Sequence, residues 1–161
     1  MLATVRWNAL FPLQLLHSLL PTLRRSPGPV LVMNVGSYSG DLPPPRLAVY
    51  AASKRFMEFL GRGLSMDERY YTKTNVSFMY LIVGQVSTNA YRRPVTFVCP
   101  DADTFAKAVV DRIGCNRKRI SPYVNHALSQ WAAEMLGEDM GERVVALAMK
   151  QLYFKDGKKV E

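Results

Sequence analysis

Two predominantly apolar segments constrain the fold of this chain more than any other feature of its sequence. The first is VLVMNV at residues 30–35, and the second lies within residues 75–82. Apolar runs without alternating polar residues are typical of strands that are covered on both faces, as in parallel sheets. The chain between them is long enough for the crossover helix that parallel neighbours require. The sequence therefore predicts an α/β fold built on parallel strands.

The predicted helices lie between and beyond these strands. Apolar periodicity and Pro or Gly breaks predict helices at residues 2–24, 47–68, 100–114, 128–136 and 142–152, and a short third strand at residues 120–124. The first helix should bend near Pro12, because proline has no N–H for the helical ladder. Residues 1–154 are predicted to form one domain, and the charged tail at residues 155–161 is expected to be disordered.

Three polar side chains next to the first strand predict a proton-transfer site. Tyr50 and Lys54 are four residues apart, about one helical turn, so the phenol and the ammonium should project from one face. A phenol with an ordinary pKa near ~10 is a poor acid at neutral pH, and a neighbouring lysine charge lowers that pKa. Ser37 follows the first strand and can donate a hydroxyl to the same carbonyl oxygen. The Tyr–Lys spacing alone is common by chance, but the serine and the strand–loop–helix context make it more specific.

This pattern resembles the active site of the short-chain dehydrogenase/reductase superfamily, and within it the 3-oxoacyl-CoA reductase and 17β-hydroxysteroid dehydrogenase branch. The matching segment is NVGSYSGDLPPPRLAVYAASKRFMEFL, and PDADTFAKAVVDRIGC and ISPYVNHALSQW resemble later elements of that branch. The resemblance implies the C-terminal portion of a Rossmann-like doubly wound parallel sheet, with about three strands flanked by helices.

The resemblance also implies a function and the residues that carry it. Tyr50 would be the general acid, Lys54 its pKa modulator and a ribose ligand, and Ser37 the group that orients the carbonyl. The implied reaction is the NAD(P)-dependent reduction of a lipid-like ketone, such as a 3-oxoacyl-CoA or a steroid. NADPH is favoured over NADH by the resemblance alone. Superfamily members pair through helices that correspond to the first two here, so a homodimer is expected.

Asn8 fits the place of the family's fourth catalytic residue. Pro12 lies four residues later and cannot bond the carbonyl of Asn8. The resemblance implies that this free carbonyl holds a water that relays protons to Lys54. The alternative is that Pro12 simply sits in a first helical turn, where proline is tolerated, and that Asn8 is only a cap.

A second cofactor-binding segment is predicted after the second strand. In the family, a Pro-Gly-x-Val-x-Thr segment contacts the nicotinamide carboxamide and the phosphates. Gly84, Val86 and Thr88 match that pattern, whereas Val83 stands where proline is usual. For Thr88, the alternative role is a helix N-cap.

A glycine-rich turn of the type G-x-G-x-x-G, which holds a dinucleotide pyrophosphate, follows no strand in this sequence. We therefore expect a chain that corresponds to the C-terminal part of a reductase, with the N-terminal strands missing and one edge of the strand at residues 30–35 unpaired. Such an apolar edge promotes association. The alternative function is a catalytically incompetent fragment, acting as a dimerisation partner or a truncated gene product.

Composition and charge bear on nucleic-acid binding, substrate steering and metal binding as other possible functions. The formal net charge is +8 over 161 residues, but the basic residues are dispersed and form no nucleic-acid-binding signature. The basic cluster at residues 117–119 could steer the phosphates of a CoA substrate, or it could be a solvated loop. Cys99 and Cys115 do not form a metal motif with His17 or His126, and reduced thiols are expected. His126 is predicted to be a packed histidine.

The two ends of the chain bear on its location. The apolar N-terminal segment is interrupted by Pro12, Gln14 and His17, which favours an amphipathic core helix over a signal peptide or membrane span. The C-terminal sequence KKVE resembles a dilysine retrieval signal. With the family resemblance it predicts the endoplasmic reticulum, with peripheral membrane association, and the cytoplasm is the alternative.

Overall fold

The computed structural model describes residues 1–155, so most of the predicted tail and the KKVE signal lie outside the described residues. The helices are Leu2–Val5 (α1), Phe11–Leu23 (α2), Ala48–Asp67 (α3), Ala102–Val110 (α4), Val124–Met135 (α5) and Glu138–Lys155 (α6). The strands are Val30–Val35 (β1), Val76–Leu81 (β2) and Arg119–Ile120 (β3).

The three strands form one parallel sheet in the order β1-β2-β3. The register runs from Val30 opposite Val76 to Val35 opposite Leu81. The predicted fold class, about three parallel strands flanked by helices, is therefore confirmed. Because the carboxyl ends of all three strands meet at one edge, the loops that follow them lie together.

The core lies between one face of the sheet and helices α2 and α3. Leu16 and Leu20 of α2 and Met57 of α3 pack with Val76 and Phe78 of β2, and each of the five is at least 93% buried. Burying an aliphatic side chain stabilises a fold by about 1.5–3 kcal/mol. This cluster therefore fixes α3, and the side chains at its amino end, relative to the sheet.

The first predicted helix is interrupted where the sequence indicated a bend. Residues Arg6–Leu10 form a π turn between α1 and α2, and the Phe11 N–H donates to the Arg6 carbonyl, five residues back. Pro12 lies in the first turn of α2. Since proline cannot donate to the ladder, a wider turn immediately before it avoids a forced break.

The prediction was less accurate beyond β2. The predicted strand at residues 120–124 is wrong after Ile120, because Ser121 and Pro122 leave the sheet and Val124 begins α5. Proline has no N–H for a ladder hydrogen bond, so the strand ends before it. The predicted helix at 100–114 is shorter as well, since the Asp101 carboxylate caps α4 by accepting the Thr104 N–H at 2.8 Å.

Candidate active site

Ser37 lies at the carboxyl edge of the sheet, two residues beyond β1. Gly36 continues the pairing with β2, because its N–H donates to the Leu81 carbonyl at 2.8 Å. Ser37 has extended backbone and caps the 3-10 turn Tyr38–Gly40, where its Oγ accepts the Ser39 N–H at 3.2 Å. In that bond Oγ is an acceptor, so its own proton stays available for donation to a substrate oxygen.

Tyr50 and Lys54 project from one face of α3 beside this loop. The Lys54 Nζ lies 5.6 Å from the centroid of the Tyr50 ring. It also donates to the Val35 carbonyl, the last residue of β1, at 3.1 Å. Burial lowers the pKa of the Lys54 ammonium, because desolvation penalises the charged form. The structure thus brings the lysine to both the phenol and the end of the serine strand.

Asn8 borders the same cleft as Lys54. This cleft of about 390 Å³ lies between the π turn, α2, β1 and α3, and Asn8, Lys54 and Val35 are among the residues that line it. The backbone on both sides of Asn8 is helical. Asn8 is therefore not a helix cap, and its carbonyl has no Pro12 N–H to accept.

The segment predicted to contact a cofactor leaves β2 at the same edge. The Gly84 N–H donates to His126 Nδ1 at 3.3 Å, and His126 Nε2 lies 3.0 Å from the Gln85 carbonyl and 3.2 Å from that of Val98. His126 must therefore carry its proton on Nε2, and burial lowers its pKa. The ring is 6% exposed, so His126 is packed, as the sequence predicted, and it holds two loops together.

Thr88 lies in a turn rather than at a helix end. Its Oγ1 accepts the Tyr91 N–H at 3.0 Å, and the next helix, α4, begins only at Ala102. The alternative role as a helix N-cap is therefore wrong. Within residues 1–155, no hydrogen bond or ion pair joins Gly84, Val86 or Thr88 to Tyr50 or Lys54.

Tyr80 is a site residue that sequence reasoning missed. Its Oη accepts the Ser37 N–H at 3.3 Å and donates to the Lys54 carbonyl at 3.1 Å, and the residue is 4% exposed. An alanine-like Cβ on Gly36 would lie 2.0 Å from the Tyr80 ring, which explains the glycine before the serine. A tyrosine within an apolar strand gave no signal, because it is indistinguishable from an ordinary core residue.

A partly buried ion network behind the serine loop was missed as well. Asp41 accepts from Arg55 at 2.8 Å and pairs with Arg119, while Glu58 accepts from Arg55 at 2.8 Å. Arg119 Nε also lies 3.1 Å from Glu58, in an ion pair that is off-axis for a hydrogen bond. Burial raises the pKa of the Asp41 carboxyl against the opposing effect of Arg119. The network ties the serine loop to α3 and β3.

This arrangement bears on the basic cluster at residues 117–119. The Arg119 side chain is engaged by Asp41 and Glu58. Arg117 and Lys118 line a separate open groove of about 830 Å³, next to the amino half of β2. Since Ser37 lies beyond the carboxyl end of β1, the geometry does not favour a role for this cluster in steering a substrate to the site.

The described part of the chain contains neither a metal-binding cluster nor a membrane-spanning helix. Residues 1–155 contain no group of three His, Cys, Asp or Glu side chains arranged to hold a metal ion. Across the same residues, no helix is long and apolar enough to cross a membrane.

Sequence comparison finds relatives but no matching family model. A very-long-chain 3-oxoacyl-CoA reductase of Aspergillus fumigatus is 34% identical over 122 residues, which cover 71% of this chain and 34% of that protein. The protein of the same name from Schizosaccharomyces pombe is 32% identical over 129 residues, covering 76% of this chain and 37% of that one. The chain thus spans about a third of the length of the curated relatives it matches.

Solved structures share the fold at low sequence identity. A short-chain dehydrogenase from Streptomyces avermitilis superposes with a TM-score of 0.57 at 18% identity, covering 84% of this chain and 59% of that one. Together with the sequence matches to the two reductases, this shared fold confirms the resemblance to the short-chain dehydrogenase/reductase family. A family member from Burkholderia phymatum, in complex with NAD, gives a TM-score of 0.54 at 17% identity and covers 74% of this chain and 52% of that one.

Proposed function

We propose that this protein is a ketoreductase that uses NAD(P) and acts on a lipid-like ketone, such as a 3-oxoacyl-CoA or a steroid. The observation that carries the proposal is the Lys54 Nζ, 5.6 Å from the Tyr50 ring and 3.1 Å from the carbonyl that ends β1. An ammonium beside a phenol, with Ser37 on the adjoining loop, is suited to proton donation to a carbonyl oxygen. The names of the curated relatives support the substrate class.

The chemistry follows from the side chains of this chain. Tyr50 gives its proton to the carbonyl oxygen, and the Ser37 hydroxyl donates a hydrogen bond to the same oxygen. The Lys54 ammonium stabilises the phenolate that Tyr50 leaves behind. A bound nicotinamide would supply the hydride for the carbonyl carbon. Asn8, which borders the cleft with Lys54, would hold a water for reprotonation.

We assign Lys54 to the ribose end of a nicotinamide dinucleotide. An ammonium has three N–H donors, and in the structure Lys54 gives one of them to Val35. Gly84, Val86 and Thr88 would contact the nicotinamide and the phosphates, and NADPH is the favoured form. The glycine-rich turn that holds a pyrophosphate is absent from these 161 residues, so no residue of this chain is assigned to the adenosine end.

The proposal also covers how the protein associates and where in the cell it is located. Large apolar side chains on α1, the π turn and α2 are exposed, among them Trp7 at 71% and Phe11 at 50%, and Phe59 on α3 is 56% exposed. Contiguous exposed apolar surface is typical of protein interfaces, so we propose a homodimer through these helices. The KKVE terminus supports the endoplasmic reticulum, with peripheral membrane association.

A second candidate is a catalytically incompetent chain that acts as a dimerisation partner for a complete relative. The observation that favours it is the missing pyrophosphate turn. Titration of NADPH fluorescence with this chain separates the candidates. Binding in the micromolar range would contradict the second candidate, whereas the lack of any binding would support it.

Tyr50→Phe tests the catalytic proposal directly. The change removes the phenolic hydroxyl, and with it the proton to be donated, so we expect kcat for NADPH-dependent reduction of a 3-oxoacyl-CoA to fall by at least ~100-fold. The matched control is Tyr71→Phe, since Tyr71 is 86% exposed and its variant should retain full activity. Turnover is measured for the 161-residue chain and for the longest product of its gene. Equal turnover of the Tyr50→Phe and unsubstituted proteins would refute the role of Tyr50.

A further inference from the structure

We propose that Tyr80 is a positioning residue whose hydroxyl sets the placement of Ser37 relative to Lys54. The inference rests on the proposed function, since it concerns the same site. Tyr80 belongs to β2, yet its hydroxyl lies between the loop that follows β1 and the second turn of α3. The Tyr80 hydroxyl therefore contacts both the loop and α3 from its position on β2.

The phenolic oxygen of Tyr80 makes hydrogen bonds to both Ser37 and Lys54. The Tyr80 Oη accepts the backbone N–H of Ser37 at 3.3 Å and donates to the backbone carbonyl of Lys54 at 3.1 Å. Both bonds go to the main chain, so they constrain the path of the backbone without involving the side chain of Ser37 or of Lys54. Burial of the phenol to 4% exposure means that water cannot easily replace either bond.

The surroundings of the ring keep the hydroxyl in place. Gly36 has no side chain where the ring lies, and even a Cβ there would come within 2.3 Å of the Tyr80 Oη. On the other side, the Gly40 position is in ordinary contact, with its equivalent Cβ 3.5 Å from Oη. The absence of a side chain at Gly36 therefore leaves room for the phenol of another strand, whereas a Cβ at Gly40 would fit beside it.

Tyr80 acts on placement rather than on folding as a whole. The ion pairs of Asp41 with Arg55 and Arg119 also hold the serine loop to α3 and β3, and they do not involve the phenol. Loss of the hydroxyl should therefore leave the loop attached but less closely defined. A shift of the reacting groups by a fraction of an ångström slows catalysis without abolishing binding.

The test is Tyr80→Phe with Ser77→Ala as a matched control. Ser77 lies on the same strand, and its hydroxyl donates to the Val30 carbonyl of β1 at 3.0 Å. Each variant thus loses one hydroxyl that bonds β2 to another element, but only one of them is at the site. Amide hydrogen exchange at Ser37 and the pKa of the Lys54 ammonium are measured by NMR on the 161-residue chain.

In Tyr80→Phe, we expect exchange at Ser37 to accelerate roughly fivefold, the effect of one lost hydrogen bond. The Lys54 pKa should rise toward its ordinary value, because a less constrained turn lets water reach the ammonium, which faces the Tyr50 ring and the Val35 carbonyl. In NADPH-dependent turnover, kcat should fall about tenfold while KM changes by less than about twofold. Ser77→Ala should alter none of the three.

The outcomes separate this inference from the proposed function. Unchanged Ser37 exchange and an unchanged Lys54 pKa in Tyr80→Phe would overturn the positioning role, whatever the activity. If both respond but the unsubstituted protein reduces no ketone, the positioning role stands and the proposed reaction fails. Equal changes in Ser77→Ala would show a general loosening of the sheet and would also overturn the inference.

Discussion

Gly36→Ala should strongly destabilise the protein, for a reason that lies in a different strand. A Cβ at this position would be 2.0 Å from the Tyr80 Cζ, whereas ordinary contact begins at 3.4 Å. The ring would have to retreat by about 1.4 Å, the difference between these two distances. Gly36 does not have a positive φ, so the expected effect is steric and does not arise from backbone strain.

The loss of stability can be estimated from the interactions that the displaced Tyr80 ring would break. Moving the ring breaks the bonds of Oη to Ser37 and Lys54, which now measure 3.3 and 3.1 Å. Each lost bond costs about 0.5–1.5 kcal/mol and forced overpacking about 1–3 kcal/mol, so unfolding should become easier by roughly 2–6 kcal/mol. The effect should depend on Tyr80, because no other side chain is among the nearest atoms.

Urea denaturation followed by circular dichroism measures this change, and Gly63→Ala is the matched control. Gly63 lies in α3 with nothing within 4 Å of an added Cβ, so alanine there should stabilise the protein by about 0.5–1 kcal/mol. In a Tyr80→Leu background, Gly36→Ala should cost less than about 1 kcal/mol, since the clashing atoms are gone. An unchanged urea midpoint for Gly36→Ala, or a cost that persists in Tyr80→Leu, would refute the reasoning.

Two further predictions concern buried titratable groups. Hydrogen bonding to Arg24 lowers the pKa of Glu68 below 4.5, so its stabilisation is present above that pH and is lost as the pH falls through the folded-state pKa. Glu68→Gln should flatten the acid limb of urea midpoints measured from pH 6 to 3, and an unchanged limb would contradict this. His126→Phe removes the acceptor of the Gly84 N–H, so amide exchange at Gly84 should accelerate. Unaltered exchange would contradict the role of His126 in holding the two loops together.

Local pattern was enough to predict the first two strands and the Tyr50–Lys54 pair. The predicted strand at residues 30–35 has the same bounds as β1, because an apolar run that ends in glycine and serine is a signal contained within a few residues. Tyr50 and Lys54 share a face because one helical turn separates them. Errors were concentrated beyond β2, where Pro122 ended β3 early and loop segments lack periodicity.

The sequence by itself determined the class of sheet, the position of the serine loop and the spacing of the phenol and the ammonium. Only the tertiary structure decided what holds them: Tyr80 is 43 residues from Ser37 and 26 from Lys54, and Arg119 is 78 residues from Asp41. The physical reason is that periodicity is set by neighbours along one helix or strand. A hydroxyl or guanidinium that bridges separate elements acquires its role only when the sheet register brings those elements together.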